Sequence, residues 1–172
     1  FRPAYNLQIA ADVDNQVIVG VDATMEGNDG GQAAPMVEQI EKRTGSKPDA
    51  YLMDGGFVKL EDITALEKQN IDVYAPTPLS RKQEGTQSTP RKGDTPEVTN
   101  WRQRMETEEA KKIYRERAAT AEPVNARGRA HGLVQLVVRG REKVLSVLLL
   151  AAITHNLLRW IVLTRQAATL AN

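Results

Sequence analysis

Ala50-Tyr51-Leu52-Met53-Asp54-Gly55-Gly56 is the stretch on which the reading of the fold turns. Its apolar residues run on without alternation, as in a strand inside a sheet. Asp54 leaves the core at the strand end, and the glycine pair lets the backbone turn sharply behind it. A second acid, Glu122, stands far downstream in Tyr114-Arg115-Glu116-Arg117-Ala118-Ala119-Thr120-Ala121-Glu122-Pro123, among guanidinium groups. Acids drawn from distant segments, with cations around them, suit metal-assisted chemistry on phosphodiesters.

Upstream of that stretch, Tyr5 to Ala11 alternates with period two and Val17 to Val21 forms a second apolar run. With Asp14-Asn15 between them the two predict a hairpin. Ala33, Met36, Val37 and Ile40 outline a helix with Pro35 in its first turn, ended by Thr44-Gly45-Ser46. Downstream, Leu60, Ile63, Ala65 and Leu66 outline a short helix, Asn70 stops it, and Ile71 to Ala75 predicts a fourth strand. No Ser or Thr stands ready to cap that short helix, since Val58-Lys59 precedes it. Residues 79–100 are polar and rich in Gly, Pro, Ser and Thr, which predicts a loop or disordered insertion. From Trp101 the chain reads as helical. The expected organisation is thus a partial α/β core over 1–78, the insertion over 79–100, and C-terminal helices over 101–172.

The net charge of +1 conceals a split. Residues 1–80 hold 6 Lys/Arg against 13 Asp/Glu, and residues 81–172 hold 17 against 9. An acidic half beside a basic one fits an acid site next to a surface for a polyanion, or two halves that attract each other. There is no cysteine, which excludes disulfides and thiolate metal sites and fits a reducing cytoplasm. His131 and His155 are too few and too distant for a zinc site, and His155 reads as a hydrogen-bonded core residue. The Gly27–Gly31 loop lacks the Lys and spacing of a phosphate-binding loop. Val144 to Leu163 has the length of a membrane span, but Ser146, Thr154, His155, Asn156 and Arg159 interrupt it. A core helix is therefore expected there, with no membrane partner. Trp101 and Trp160 are expected to be packing anchors, although Trp101 beside Arg102 and Arg104 is also placed to meet DNA.

Several motifs in register carry a resemblance. Tyr114-x-x-Arg117-x-x-x-x-Glu122-Pro123, Arg139-Gly140-x-x-Lys143-Val144 and His155-Asn156-Leu157-x-Arg159 resemble the C-terminal signature of DDE transposases from bacterial insertion sequences. Pro3 to Ala10, Leu52-Met53-Asp54-Gly55-Gly56-Phe57 and Ile71 to Pro76 are similar to earlier motifs of that family, in the same order. The resemblance implies a ribonuclease-H-like mixed sheet flanked by helices and a C-terminal helical segment. It also implies an Asp-Asp-Glu triad binding two Mg²⁺ or Mn²⁺ ions for hydrolysis and strand transfer at transposon ends. Asp54 then corresponds to the second acid and Glu122 to the third, both metal ligands. Tyr114, Arg117, Arg129, Arg139 and Lys143 correspond to positions expected to hold DNA, in a bacterial, nucleoid-associated protein that forms a homodimer on its substrate. The family's first acid belongs to a strand expected ahead of Phe1, so the fragment alone is expected to be inactive. Asp12, Asp14 and Asp22 are the nearest acids, and none matches the family's catalytic position. Two rival expectations remain: an inactive remnant that binds DNA through residues 101–143, and a nuclease of the same fold without strand transfer.

Overall fold

A computed structural model of the protein describes residues 5–27, 29–78 and 91–170. The described residues form two compact units, one of residues up to 27 with those from 119 onward, the other of 28–118. Together their elements make a mixed α/β protein with five α-helices and two small sheets.

In the first unit, β1 (Asn6–Ala11) and β2 (Ile18–Thr24) form the expected antiparallel hairpin. The register slips between Ala10 and Ala11, a bulge next to the turn. The unit's other described elements are the end of α4 (Glu108–Ala130), which also runs through the second unit, and α5 (Arg141–Leu170). Val144, Leu148, Ala152 and His155 of α5 are buried, and Leu148 and Ala152 form a small core with Val21 of β2.

The core-helix expectation for α5 is corrected. Leu150, Ile153, Leu157, Leu158 and Trp160 are exposed, Trp160 at 63%. By length and composition alone α5 is apolar enough to cross a membrane, and only 17% of its most apolar window is buried. The helix carries apolar residues well beyond the one stripe that the hairpin covers. The length of that apolar run can be read from the residues, but not how many elements cover it.

In the second unit, β3 (Ala50–Leu52) pairs in parallel with β4 (Asp72–Tyr74). Two helices, α1 (Ala33–Thr44) and α2 (Leu60–Glu67), and α3 (Pro96–Glu106) complete it with the first part of α4. Gly45 closes α1 with φ +82, and Asn70 takes φ +61 after α2, both in the left-handed region expected at such stops. Lys59 starts α2 without a side-chain cap, as the sequence suggested. Ile63, Leu66, Ile71, Val73, Val98 and Trp101 are the centre of the core.

Two expectations shift here. The strands pair as two separate ribbons among the described residues, one antiparallel and one parallel, not as a single mixed sheet. No described strand lies against the second edge of β1 or of β3. The polar insertion also ends earlier than expected, because α3 starts at Pro96. Thr95 caps it, its hydroxyl accepting from Val98 N at 3.3 Å, and Pro96 occupies the first turn, where no donor is needed. Residues 79–90 of that segment lie outside the described residues.

Candidate active site

Asp54 lies just beyond β3, after Met53 N has bonded Tyr74 O at 3.0 Å and tied the strand end to β4. Its Oδ1 accepts from Gly55 N at 2.6 Å, which caps the single turn Gly55–Phe57. The turn must be tight, since a Cβ at Gly55 would meet Pro76 Cγ at 3.2 Å. The other oxygen, Oδ2, stands 3.9 Å from Arg117 Nη1, and 63% of the side chain is exposed. Arg117 in turn lies 5.5 Å from the Tyr114 ring centroid, one turn back on α4. The spacing Tyr114-x-x-Arg117 thus puts an aromatic face under the guanidinium that reaches Asp54. Arg117 Nε is buried without a partner among the described residues. A carboxylate, a planar cation and an aromatic support can together bind a phosphate or hold a cation.

Glu122 is in the first unit, on the exposed side of α4, and its carboxylate makes no hydrogen bond or ion pair with a described residue. Arg129, Arg139 and Lys143 are exposed in the same unit. Asp54 in the second unit and Glu122 in the first are each an exposed carboxylate, the ligand type that Mg²⁺ and Mn²⁺ prefer. They fall short in number: among the described residues no group of three or more His, Asp or Glu side chains is placed to hold an ion. No chemical step is therefore assigned to bound metal here.

The remaining acids have other tasks. Asp22 pairs with Arg141 at 2.7 Å and accepts from Ala23 N at 2.7 Å, and Asp12 accepts from Asn15 N at 2.7 Å in the hairpin turn. The suggestion that Trp101, Arg102 and Arg104 meet DNA is corrected. Trp101 and Arg102 are buried, Arg102 pairs with Asp94, and Arg104 is committed to Glu67 at 2.6 Å and Asp72 at 2.9 Å. Packing took these cations because α3 turns that face toward β4 and the chain before Thr95.

The other motifs acquire a structural role that spacing did not reveal. Gly140 adopts φ +92, which a residue with a Cβ resists, and its N–H donates to Tyr5 Oη at 2.9 Å. Arg141 follows and donates from Nε to Ala23 O at 2.8 Å, so Arg139-Gly140 sets the start of α5 on the hairpin. His155, Asn156 and Arg159 hold the hairpin turn. His155 Nε2 lies 2.8 Å from Gln16 O, Asn156 bonds both N and O of Ile18 at 2.8 Å, and Arg159 Nε donates to Asn15 O at 2.8 Å. His155 is thus the hydrogen-bonded core residue expected. Neighbouring polar residues inside an apolar helix, opposite a turn with open backbone groups, were the available signal.

No curated protein and no solved structure gives a match to the chain. Residues 80–161 match the family described as "Transposase DDE domain", a stretch that includes Tyr114, Arg117, Glu122, Arg129, Arg139 and Lys143. That stretch is similar to a DDE transposase domain, and the mixed α/β architecture of the described residues is consistent with one.

Proposed function

We propose that this chain is catalytic-domain sequence of an insertion-sequence transposase, which cuts and rejoins DNA phosphodiester bonds at transposon ends. The observation that carries the reading is the placement of Arg117, inside the matched stretch, against Asp54, outside it. The family match does not cover Asp54, so the geometry of the second unit supplies independent support for that acid. In this reading Asp54 and Glu122 would contribute oxygen ligands to Mg²⁺ or Mn²⁺, which would supply positive charge at the reacting phosphodiester. Arg117, held by Tyr114, neutralises phosphate near Asp54. Arg129, Arg139 and Lys143 bind backbone without reading sequence.

The finer fold belongs to the same proposal. One antiparallel and one parallel strand pair are compatible with a ribonuclease-H-like mixed sheet. A bacterial, nucleoid-associated protein that dimerises on DNA completes the picture.

The test on this chain is a Mn²⁺ titration followed by NMR line broadening of assigned amides. Broadening centred on Asp54-Gly55 and on Glu122, lost at Glu122 in Glu122→Gln, supports the assignment. Broadening at neither acid up to millimolar Mn²⁺ removes their metal role in this chain. If the chain still binds DNA, that outcome leaves the DNA-binding remnant as the better reading.

A further inference from the structure

Pro123 lies inside α4, immediately after Glu122. Proline has no N–H, so the carbonyl four residues earlier, Ala119 O, loses its ordinary helical donor. An interior proline on its own leaves this turn the weakest point of the helix, and it is the turn that carries Glu122. The structure supplies a replacement from elsewhere in the first unit: Gln16 Nε2 donates to Ala119 O at 3.3 Å.

The orientation of the Gln16 amide follows from its second partner. Arg127 Nη1 lies 3.3 Å from Gln16 Oε1, and a guanidinium can only donate. The oxygen must therefore face Arg127, which leaves the NH₂ group for Ala119 O. Gln16 is also held at its backbone. It takes φ +53, unusual for a residue with a side chain, and its N donates to Asp12 O at 2.9 Å. His155 of α5 meets its carbonyl at 2.8 Å. A locally unfavourable conformation is kept where it aims one side chain at a helix defect.

We infer that Gln16 is a positioning residue for Glu122: its amide replaces the hydrogen bond that Pro123 removes from α4 and so fixes the turn bearing that carboxylate. The inference rests on the reading of Glu122 as a reacting acid, but the structural link is measurable without it. The hairpin turn, held by the His155-Asn156-x-x-Arg159 motif, thereby connects to the Glu122-Pro123 motif through one side chain.

The experiment is a double-mutant cycle. Gln16→Glu keeps the length and the Arg127 partner, since a carboxylate accepts from a guanidinium, but has no hydrogen to give Ala119 O. Pro123→Ala restores a backbone N–H to that carbonyl and makes Gln16 redundant. Amide hydrogen exchange at Ala121, Glu122 and Val124 is measured in all four proteins. Gln16→Glu is expected to speed exchange about five- to ten-fold when Pro123 is present, as one net hydrogen bond implies. In the Pro123→Ala background the change is expected to stay within about two-fold. No acceleration, or equal acceleration in both backgrounds, overturns the inference.

The same four proteins are then assayed for DNA cleavage. Gln16→Glu should lower kcat several-fold at unchanged KM for DNA, with the loss removed by Pro123→Ala. Coupling in exchange without coupling in kcat overturns the positioning role. If Glu122→Gln leaves cleavage intact, the functional reading of Glu122 fails, whatever the exchange cycle gives. If Glu122→Gln abolishes cleavage and the cycle is flat, only the Gln16 inference fails.

Discussion

Arg102→Met is expected to be among the most damaging single substitutions in the second unit, although it changes a residue that looks like a surface cation in the sequence. The Arg102 side chain is 2% exposed and that of Asp94 5%. Nε meets Oδ2 at 2.9 Å and Nη2 meets Oδ1 at 3.4 Å. The guanidinium also lies 5.4 Å from the Trp101 ring centroid. Methionine fills much of the arginine stem but leaves the Asp94 carboxylate buried, with the Arg91 N–H at 3.0 Å as its remaining described partner. Removing one member of such a pair costs about 3–5 kcal/mol, mostly the penalty of the abandoned charge. That is a large share of the roughly 5–15 kcal/mol that holds a domain folded. Arg102→Met with Asp94→Leu removes both charges and should recover at least about half of the loss.

The pH dependence has a definite sign. Burial raises the Asp94 carboxyl, but the Arg91 amide and the Arg102 guanidinium outweigh it and hold it below the usual carboxylate range. A lowered folded-state value means stability that is present above the unfolded value, near 3.9 for Asp, and lost as pH falls through the folded one. In Arg102→Met the guanidinium is gone and only the Arg91 amide still favours the carboxylate, so acidification below about pH 4 protonates the orphan more readily and narrows the gap to wild type. Urea unfolding followed by circular dichroism at pH 7 and at pH 3.5 measures both effects. A loss below about 1 kcal/mol at pH 7, or a gap that widens on acidification, refutes the buried-pair argument.

Three further outcomes are expected. Gly140→Ala should cost about 1–2 kcal/mol in thermal unfolding, because φ +92 is unfavourable for alanine while its Cβ would meet nothing within 4 Å; an unchanged melting temperature would contradict the left-handed turn. Asn156→Leu should cost about 2–3 kcal/mol, since two 2.8 Å bonds to Ile18 are lost and its partly buried N–H and C=O are left unpaired; hydrogen exchange at Ile18 should rise with it. Arg139→Ala combined with Lys143→Ala should flatten the salt dependence of DNA binding by about two counterions across unrelated sequences; an unchanged slope would remove both cations from the DNA surface.

The elements were legible where periodicity and stop signals agree. The hairpin, α1, α2 and β4 follow alternation, amphipathic spacing and left-handed stops at Gly45 and Asn70. Asp54 was legible for the same reason, as an acid at a strand end before a glycine turn. The start of α3 was missed because polar composition was weighed above Thr95-Pro96-Glu97, a capping sequence that says helix. α5 was misread because an apolar run does not report how much of it other elements cover. Arg102 and Arg104 were invisible as structural cations, since their partners Asp94, Glu67 and Asp72 come from other elements. Gln16 had no local signature at all. Pro123 leaves a carbonyl in need of a donor, but nothing in the sequence says that Gln16 supplies it.

The most direct test of the proposed function is Mg²⁺-dependent cleavage of transposon-end DNA by the protein, wild type against Asp54→Asn and Glu122→Gln. Under the proposed function each substitution is expected to lower the cleavage rate by at least about 100-fold while DNA affinity stays within a few-fold, because that reading gives both acids a role in the reaction and neither a role in holding the backbone. Cleavage at wild-type rates in either variant would contradict the account.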